Sequence, residues 1–340
     1  MKQLNIIIFA SLLSMQAQAT IWEALPEVAP APADNPTTAD KVELGKMLFM
    51  DPRFSSTGTI SCNSCHNIME GGDDSRRVSM GVHGKTGARN SPTVWNSAFH
   101  SVQFWDGRAA SLEDQAKGPV SNPVEMGMKD VETAMQRVRA IPGYKPVFEK
   151  VFGQGGMTID NAAKAVAAFE RTLITPNSPY DKYVKGDKKA MSKQQVTGMN
   201  KFAAIGCTAC HSGAAFNGPQ QKPGEGFYTK FPTFDSEYVS KYNLDKDKGR
   251  EEATGKSADR DMFRVPTLRN ITDTAPYFHN GSVNDLAEAV RVMAKTQLNQ
   301  TLPEKDVKDI VAFLGALTGE YPDIMMPRLP SKAGASIVED

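Results

Sequence analysis

All four cysteines of this chain fall in two short runs, Cys62-Asn-Ser-Cys65-His66 and Cys207-Thr-Ala-Cys210-His211. On one helical turn, residues three and four apart share a face, so both thiols and the imidazole point the same way. The thiols can bond the vinyl groups of a haem while the histidine lies beneath its iron, which is the attachment pattern of a c-type haem. Three other chemistries use Cys-x-x-Cys: a zinc ribbon, a thioredoxin-like redox pair and a structural disulfide. A four-cysteine zinc site spaces its pairs by ~15–20 residues, whereas over a hundred residues separate these two. A redox dithiol has no use for the following histidine. The residues therefore read as two covalently held haems.

The sixth ligand decides what each haem does. A His/Met pair raises the potential and suits electron transfer, while an open or labile sixth position permits peroxide chemistry. Beyond the two motifs only His83, His100 and His279 remain, and with sixteen methionines most must be ordinary core.

The elements that position these groups follow from the pattern around them. Met1-Lys2-Gln3, an apolar Leu4 to Leu13 and Ala17-Gln18-Ala19 read as a secretory leader over 1–19, with a periplasmic protein beginning near Thr20. No later apolar run is long enough to span a bilayer. Basic and acidic residues balance at 39 each, and loss of Lys2 with the leader leaves the mature chain slightly acidic, so nothing points to nucleic acid or an anionic membrane surface. A Pro/Ala-rich arm (20–36) precedes a helix from about Ala39 to Phe49 that stops at Asp51-Pro52. Ile60 to Asn67 carries the first haem motif, and Met69 to Pro123 reads as ordered loop, a length that is usually functional. A second helix runs from Asp160 to Thr175, with Ala162, Val166, Phe169 and Leu173 at helical spacing. Pro176 to Met191 reads as a linker. Ser192 and Gln195 form a capping-box pattern opening a helix that Gly206 ends. Further helices are expected from Asn284 to Lys295 and from Pro303 to Leu317, the latter capped by Thr301 and Glu304. The order helix, haem motif, loops, helix occurs twice. The expected fold is mainly α: a first haem domain over 37–180, a second over 181–320 and a tail over 321–340.

The chain resembles the bacterial di-haem cytochrome c peroxidases over nearly all of its mature length. The resemblance rests on Leu44-Gly-Lys-Met-Leu-Phe49, Gly87-Ala-Arg-Asn-Ser-Pro-Thr93, Gln103-Phe-Trp-Asp-Gly-Arg108, Leu112-Glu-Asp-Gln-Ala116, Asn122-Pro-Val-Glu-Met126, Val265-Pro-Thr-Leu-Arg-Asn270 and Ala275-Pro-Tyr-Phe-His-Asn-Gly281, together with both haem motifs. It implies that the first haem is the peroxide site and the second the point of electron entry.

It further implies that His83, in Met80-Gly-Val-His-Gly84, caps the first iron in the oxidised state and leaves when the second haem is reduced; alone it reads as a surface-loop histidine. His100 suits a structural reading. Met293, by periodicity a core residue, falls where the family has the distal ligand of the second haem. Glu125 falls at the catalytic carboxylate, which moves a proton from the near to the far oxygen of peroxide, and Gln115 at the amide that orients it. Trp105 corresponds to a tryptophan between the haems, with packing as its plain alternative. Asn90, Thr274 and Pro276 fall where the family binds Ca²⁺ between its domains, an ion that takes hard oxygens including backbone carbonyls. A reduced small cytochrome c or cupredoxin as donor, hydrogen peroxide as substrate and a homodimer complete the implied picture. A di-haem electron carrier is one alternative. The other is an oxidative maturation enzyme related to the one that forms tryptophan tryptophylquinone, which carries a tyrosine where Met293 stands.

Overall fold

The computed structural model describes residues 22–331, so the leader expected over 1–19 lies outside the described residues. The fold is mainly helical. In chain order the helices are α1 (Ala39–Met50), α2 (Cys62–Cys65), α3 (Leu112–Gln115), α4 (Gly118–Ser121), α5 (Val131–Arg139), α6 (Tyr144–Phe152) and α7 (Ile159–Glu170). They are followed by α8 (Pro179–Val184), α9 (Lys193–Ile205), α10 (Glu237–Tyr242), α11 (Glu251–Thr254), α12 (Leu286–Leu298) and α13 (Glu304–Gly315). One two-stranded antiparallel sheet pairs β1 (Tyr228–Lys230) with β2 (Met262–Arg264).

Two helix crossings organise the chain, and both are made by the same device. α1 is capped by Thr38, whose side chain accepts from the Lys41 N–H, and it crosses α7 at Gly45, where a Cβ would overlap the Ala165 carbonyl. α9 is capped by a Ser192/Gln195 box and crosses α13 at Gly198, where a Cβ would overlap the Asp309 carbonyl. Four residues on from each glycine an aromatic side chain seals the crossing: the Phe49 and Phe169 rings lie 5.4 Å apart, as do those of Phe202 and Phe313. One core runs from Leu44 to Leu173 around the first crossing, and a second from Tyr180 to Leu317 around the other. Each of these cores sits beside one cysteine pair, with Cys62 packed against the first and Cys207 against the second.

The repeat extends to the helix ends. Asn96 (φ 63°) bonds the chain after α7, its N–H donating to Leu173 O at 2.8 Å and its Oδ1 accepting from Thr175 N at 2.9 Å. Asn270 (φ 57°) does the same after α13, with Leu317 O at 3.4 Å and Gly319 N at 3.0 Å. The left-handed region suits asparagine better than most residues. The buried Thr175 hydroxyl joins the two ties, accepting from Asn96 Nδ2 at 2.8 Å and from Asn270 Nδ2 at 3.0 Å.

Three expectations change. The helix expected over 160–175 ends at Glu170, because Asn96 and Asn270 claim the backbone and side chain of the residues that follow. The expected linker 176–191 is packed: it contains α8, the fully buried Tyr180, and Asp181, which pairs with the equally buried Arg269 at 2.9 Å and accepts from Leu25 N at 2.8 Å. That last bond anchors the N-terminal arm, where Trp22 also packs edge-on to Tyr180 and Phe313. Finally, α13 is entered through Pro303 with no side-chain cap, since Glu304 is instead paired with Arg291 at 2.8 Å.

Candidate active site: two cavities and the wall between them

Each cysteine pair opens into a cavity. The first haem motif lines one of about 190 Å³, the second lines one of about 230 Å³. The pairs lie in different cavities, so they do not form one four-cysteine metal site. Cys62 to Cys65 make a single helical turn closed at His66, whereas Cys207 to Ala209 make a 3₁₀ turn after the left-handed Gly206. Burial pushes the thiol of Cys62 up to about 12 and those of Cys65 and Cys207 up to about 11.

Both motif histidines are held in one ring orientation. His66 Nδ1 lies 3.0 Å from Pro92 O and 3.2 Å from Ser91 Oγ, and His211 Nδ1 lies 3.0 Å from Phe216 O. A carbonyl partner makes Nδ1 the donor and leaves Nε2 with its lone pair for a metal. Burial lowers the pKa of both imidazoles, which keeps them neutral as ligation requires. Paired thiols and an oriented imidazole beside a walled cavity, twice over, are the donor set that two covalent haems need.

The smaller cavity also takes in Glu125 and Gln115. Gln115 ends the one-turn helix α3, whose Ser111 cap accepts from Asp114 N. Glu125 is half-buried in the turn after Asn122, where its N–H donates to Asn122 O at 3.1 Å. Burial raises its carboxyl pKa, opposed by the Arg108 guanidinium. A carboxyl whose pKa is raised in this way holds a proton more readily than a solvated one.

His83 stands apart from that group. It is exposed, sits at φ 56° in a short turn, and is not among the residues that line the cavity. Its neighbours are anchored: Val82 N–H donates to Glu125 O at 2.9 Å and Gly81 N–H to Lys85 O at 2.8 Å. Met293 lines the larger cavity from α12, half-buried beside the fully buried Val292.

Trp105, Asn90, His100 and Arg264 line both cavities and so form part of the wall between them. Trp105 Nε1 donates to Asn90 O at 2.9 Å, and its ring stands edge-on to His279 at 6.5 Å. Asn90, Thr274 and Pro276 all face the larger cavity. Asn90 Nδ2 is taken by Arg76 O at 2.9 Å, which leaves its Oδ1 as a neutral hard donor of the kind calcium accepts.

Several groups of this site escape a sequence reading. Arg89 joins Asp106 at 2.5 Å to Asp247 at 2.6 Å, which clamps the long segment 213–261 over the Trp105 loop. Arg250 adds a bond to Asp106 O at 2.8 Å. Glu170 lines the smaller cavity with Oε2 unpartnered, and burial pushes its carboxyl up to about 8. Glu170 carried a signal, since it follows Val166 by four residues on the apolar stripe of α7. The ion pairs carried none.

A mainly helical chain whose two cysteine-histidine motifs open into adjoining cavities, one carrying a half-buried carboxyl, is a di-haem protein of the c-type peroxidase class. The family model for di-haem cytochrome c peroxidase matches residues 39–189. The chain is 45% identical over 323 residues to the cytochrome c551 peroxidase of Nitrosomonas europaea, covering 94% of this chain and 92% of that one. To the enzyme of the same name from Pseudomonas aeruginosa it is 42% identical, covering 95% and 91%. Among solved structures, a MauG-like protein associated with microbial copper homeostasis superposes with a TM-score of 0.76 at 28% identity, over 87% of this chain and 95% of that one. The chain belongs to the di-haem cytochrome c peroxidase family, and as a member it is an oxidoreductase acting on peroxide.

Proposed function

We propose that this protein reduces hydrogen peroxide to water in the periplasm with electrons from a small reduced cytochrome c or cupredoxin. The observation that carries the reading is the placement of Glu125 and Gln115 in the cavity that Cys62, Cys65 and His66 also line. Haem bound in the two cavities supplies the iron that takes up peroxide and the redox centres that store and pass electrons.

The chain's residues divide the rest of the work. His66 and His211 would hold the irons through Nε2, and Met293 would be a second ligand in the larger cavity, which would suit that site to electron entry. Glu125 accepts the proton of the near peroxide oxygen and returns it to the departing one, while the Gln115 amide orients the substrate. Two electrons and two protons in total convert peroxide into two waters. Trp105, shared by both walls, lies on the route between the centres. His83, exposed and outside the cavity lining, would reach the first iron in the oxidised enzyme through a movement of its turn, and its withdrawal on reduction would make room for peroxide. Asn90, Thr274 and Pro276 hold calcium at the wall, residues 37–180 and 181–320 form the two haem domains, and the enzyme is a homodimer. The methionine at 293 favours peroxidase chemistry over maturation of a partner protein. A pure electron carrier has no use for Glu125.

The test is Glu125→Gln, assayed for steady-state peroxide reduction with a reduced cytochrome. Loss of a general acid–base group is worth ~10²–10⁴-fold, so turnover falls by that factor while both haem spectra persist. Undiminished turnover removes Glu125 from the mechanism. Adding calcium to chelated holoenzyme restores activity if the wall site is right; an Asn90→Ala variant indifferent to calcium and chelator alike, beside a responsive wild type, is the matching expectation.

A further inference from the structure

The wall between the cavities contains a buried cation that no acid among the described residues neutralises. Arg264, at 5% exposure, ends β2 and lines both cavities. Its Nε donates to Phe104 O at 3.0 Å, and Nη1 lies 3.4 Å from Val265 O and 2.7 and 2.8 Å from the two ring nitrogens of His100. Among the described residues none of its hydrogen bonds uses Nη2, and no carboxylate lies within ion-pair distance. Asp106, the acid whose field reaches it, is already held by Arg89 at 2.5 Å and Arg108 at 3.0 Å. His100 is no counter-ion, since burial beside the guanidinium keeps it neutral. Burial also lowers Arg264 to about 10, which leaves it charged at neutral pH.

A buried charge is costly unless a partner of opposite sign is supplied. Each haem carries two carboxylates, its propionates, and a guanidinium is the side chain whose forked donors match a carboxylate. Arg264 borders both cavities, and its unused Nη2 carries two N–H donors, one for each side.

We propose that Arg264 is a shared carboxylate receptor, binding one propionate from each haem and so linking the charge states of the two centres. The inference rests on the two-haem reading and adds to it the residue through which the haems share a charge. A cation beside a haem stabilises the reduced form, so its loss lowers the midpoint potential of every haem it touches.

The experiment uses holoprotein of wild type, Arg264→Gln and Arg264→Lys, with haem content measured first and each haem then titrated potentiometrically. Fewer than two covalent haems per wild-type chain would defeat the underlying reading before Arg264 is considered. With two haems present, Arg264→Gln lowers both midpoint potentials, and Arg264→Lys, which keeps the charge but loses the fork, lowers them less. A shift at one haem only, or at neither, overturns the shared receptor. Should the glutamine variant not fold, resonance Raman spectra of the wild type in H₂O and D₂O decide the matter. Propionate bending modes of both haems shift on exchange if N–H donors bind them, and modes unmoved at either haem overturn the proposal.

Discussion

The backbone N–H of Val82 donates to the carbonyl oxygen of Glu125 at 2.9 Å. The turn that carries His83 is thereby fastened to the very residue whose carboxyl enters the smaller cavity. Gly81 makes the fit possible, since a Cβ there would overlap the carbonyls of Val124 and Glu125. A movement of the His83 turn that breaks this bond also releases the backbone of Glu125, so in the proposed mechanism the two residues would move together.

Gly81→Ala is the direct probe of that coupling. The added methyl forces the His83 turn away from Glu125 at a cost of about 1–3 kcal/mol, typical of overpacking. Chemical denaturation of the holoprotein reads the loss of stability. Steady-state assay reads a fall in peroxide turnover, whereas Gly84→Ala, where a Cβ meets nothing but φ is 71°, strains the turn without touching Glu125.

The pH profile reports on Glu125. Burial raises its pKa and Arg108 holds it down. If Glu125 is the proposed base, its carboxylate is the active form, so kcat/KM rises as pH climbs through a limb above the ordinary glutamate value of about 4.3. Arg108→Gln moves that limb to higher pH, and Glu125→Gln abolishes it along with most of the rate.

Glu170, raised by burial like Glu125, gives a stability signature. Its carboxyl is pushed up to about 8 by burial, so the folded chain keeps a proton that the unfolded chain releases. Stability therefore declines as pH rises from the ordinary glutamate value toward 8, by about 1.4 kcal/mol for each unit of separation between the two pKa values. Glu170→Gln flattens this decline, and the variant gains on the wild type at pH 8 in denaturant melts.

The buried pair Arg269–Asp181 holds the supposed linker and the N-terminal arm against the second core. Arg269→Met leaves Asp181 uncompensated and costs about 3–5 kcal/mol. Limited proteolysis of this variant cuts first within 176–191, a segment that resists cleavage in the wild type.

Gly198→Ala tests the helix crossing. Alanine improves intrinsic helix propensity by about 1 kcal/mol, yet its methyl overlaps the Asp309 carbonyl of α13. The variant is less stable in spite of its better propensity, as measured by the denaturation midpoint, and Gly45→Ala behaves alike at the other crossing.

Local chemistry in the sequence determined a good deal. The two Cys-x-x-Cys-His runs, the Ser192/Gln195 box and the apolar stripes of α1, α7, α9 and α13 are all written within a few residues of one another, so periodicity and capping rules reach them. The ordered run of matching motifs carried the family. What tertiary structure alone decided are relations between residues far apart in the chain and the burial that follows from them. Helix α7 ends at Glu170 because Asn96 and Asn270 converge on Thr175 just beyond it. Pro176 to Met191 resembles a linker until Arg269 arrives from ninety residues away to bury Asp181. Arg264 is an ordinary charged letter in the sequence, and Glu170 shows there only as a charge on an apolar stripe. Their importance lies in the desolvation that packing imposes, a property of the surroundings that no single stretch of chain contains.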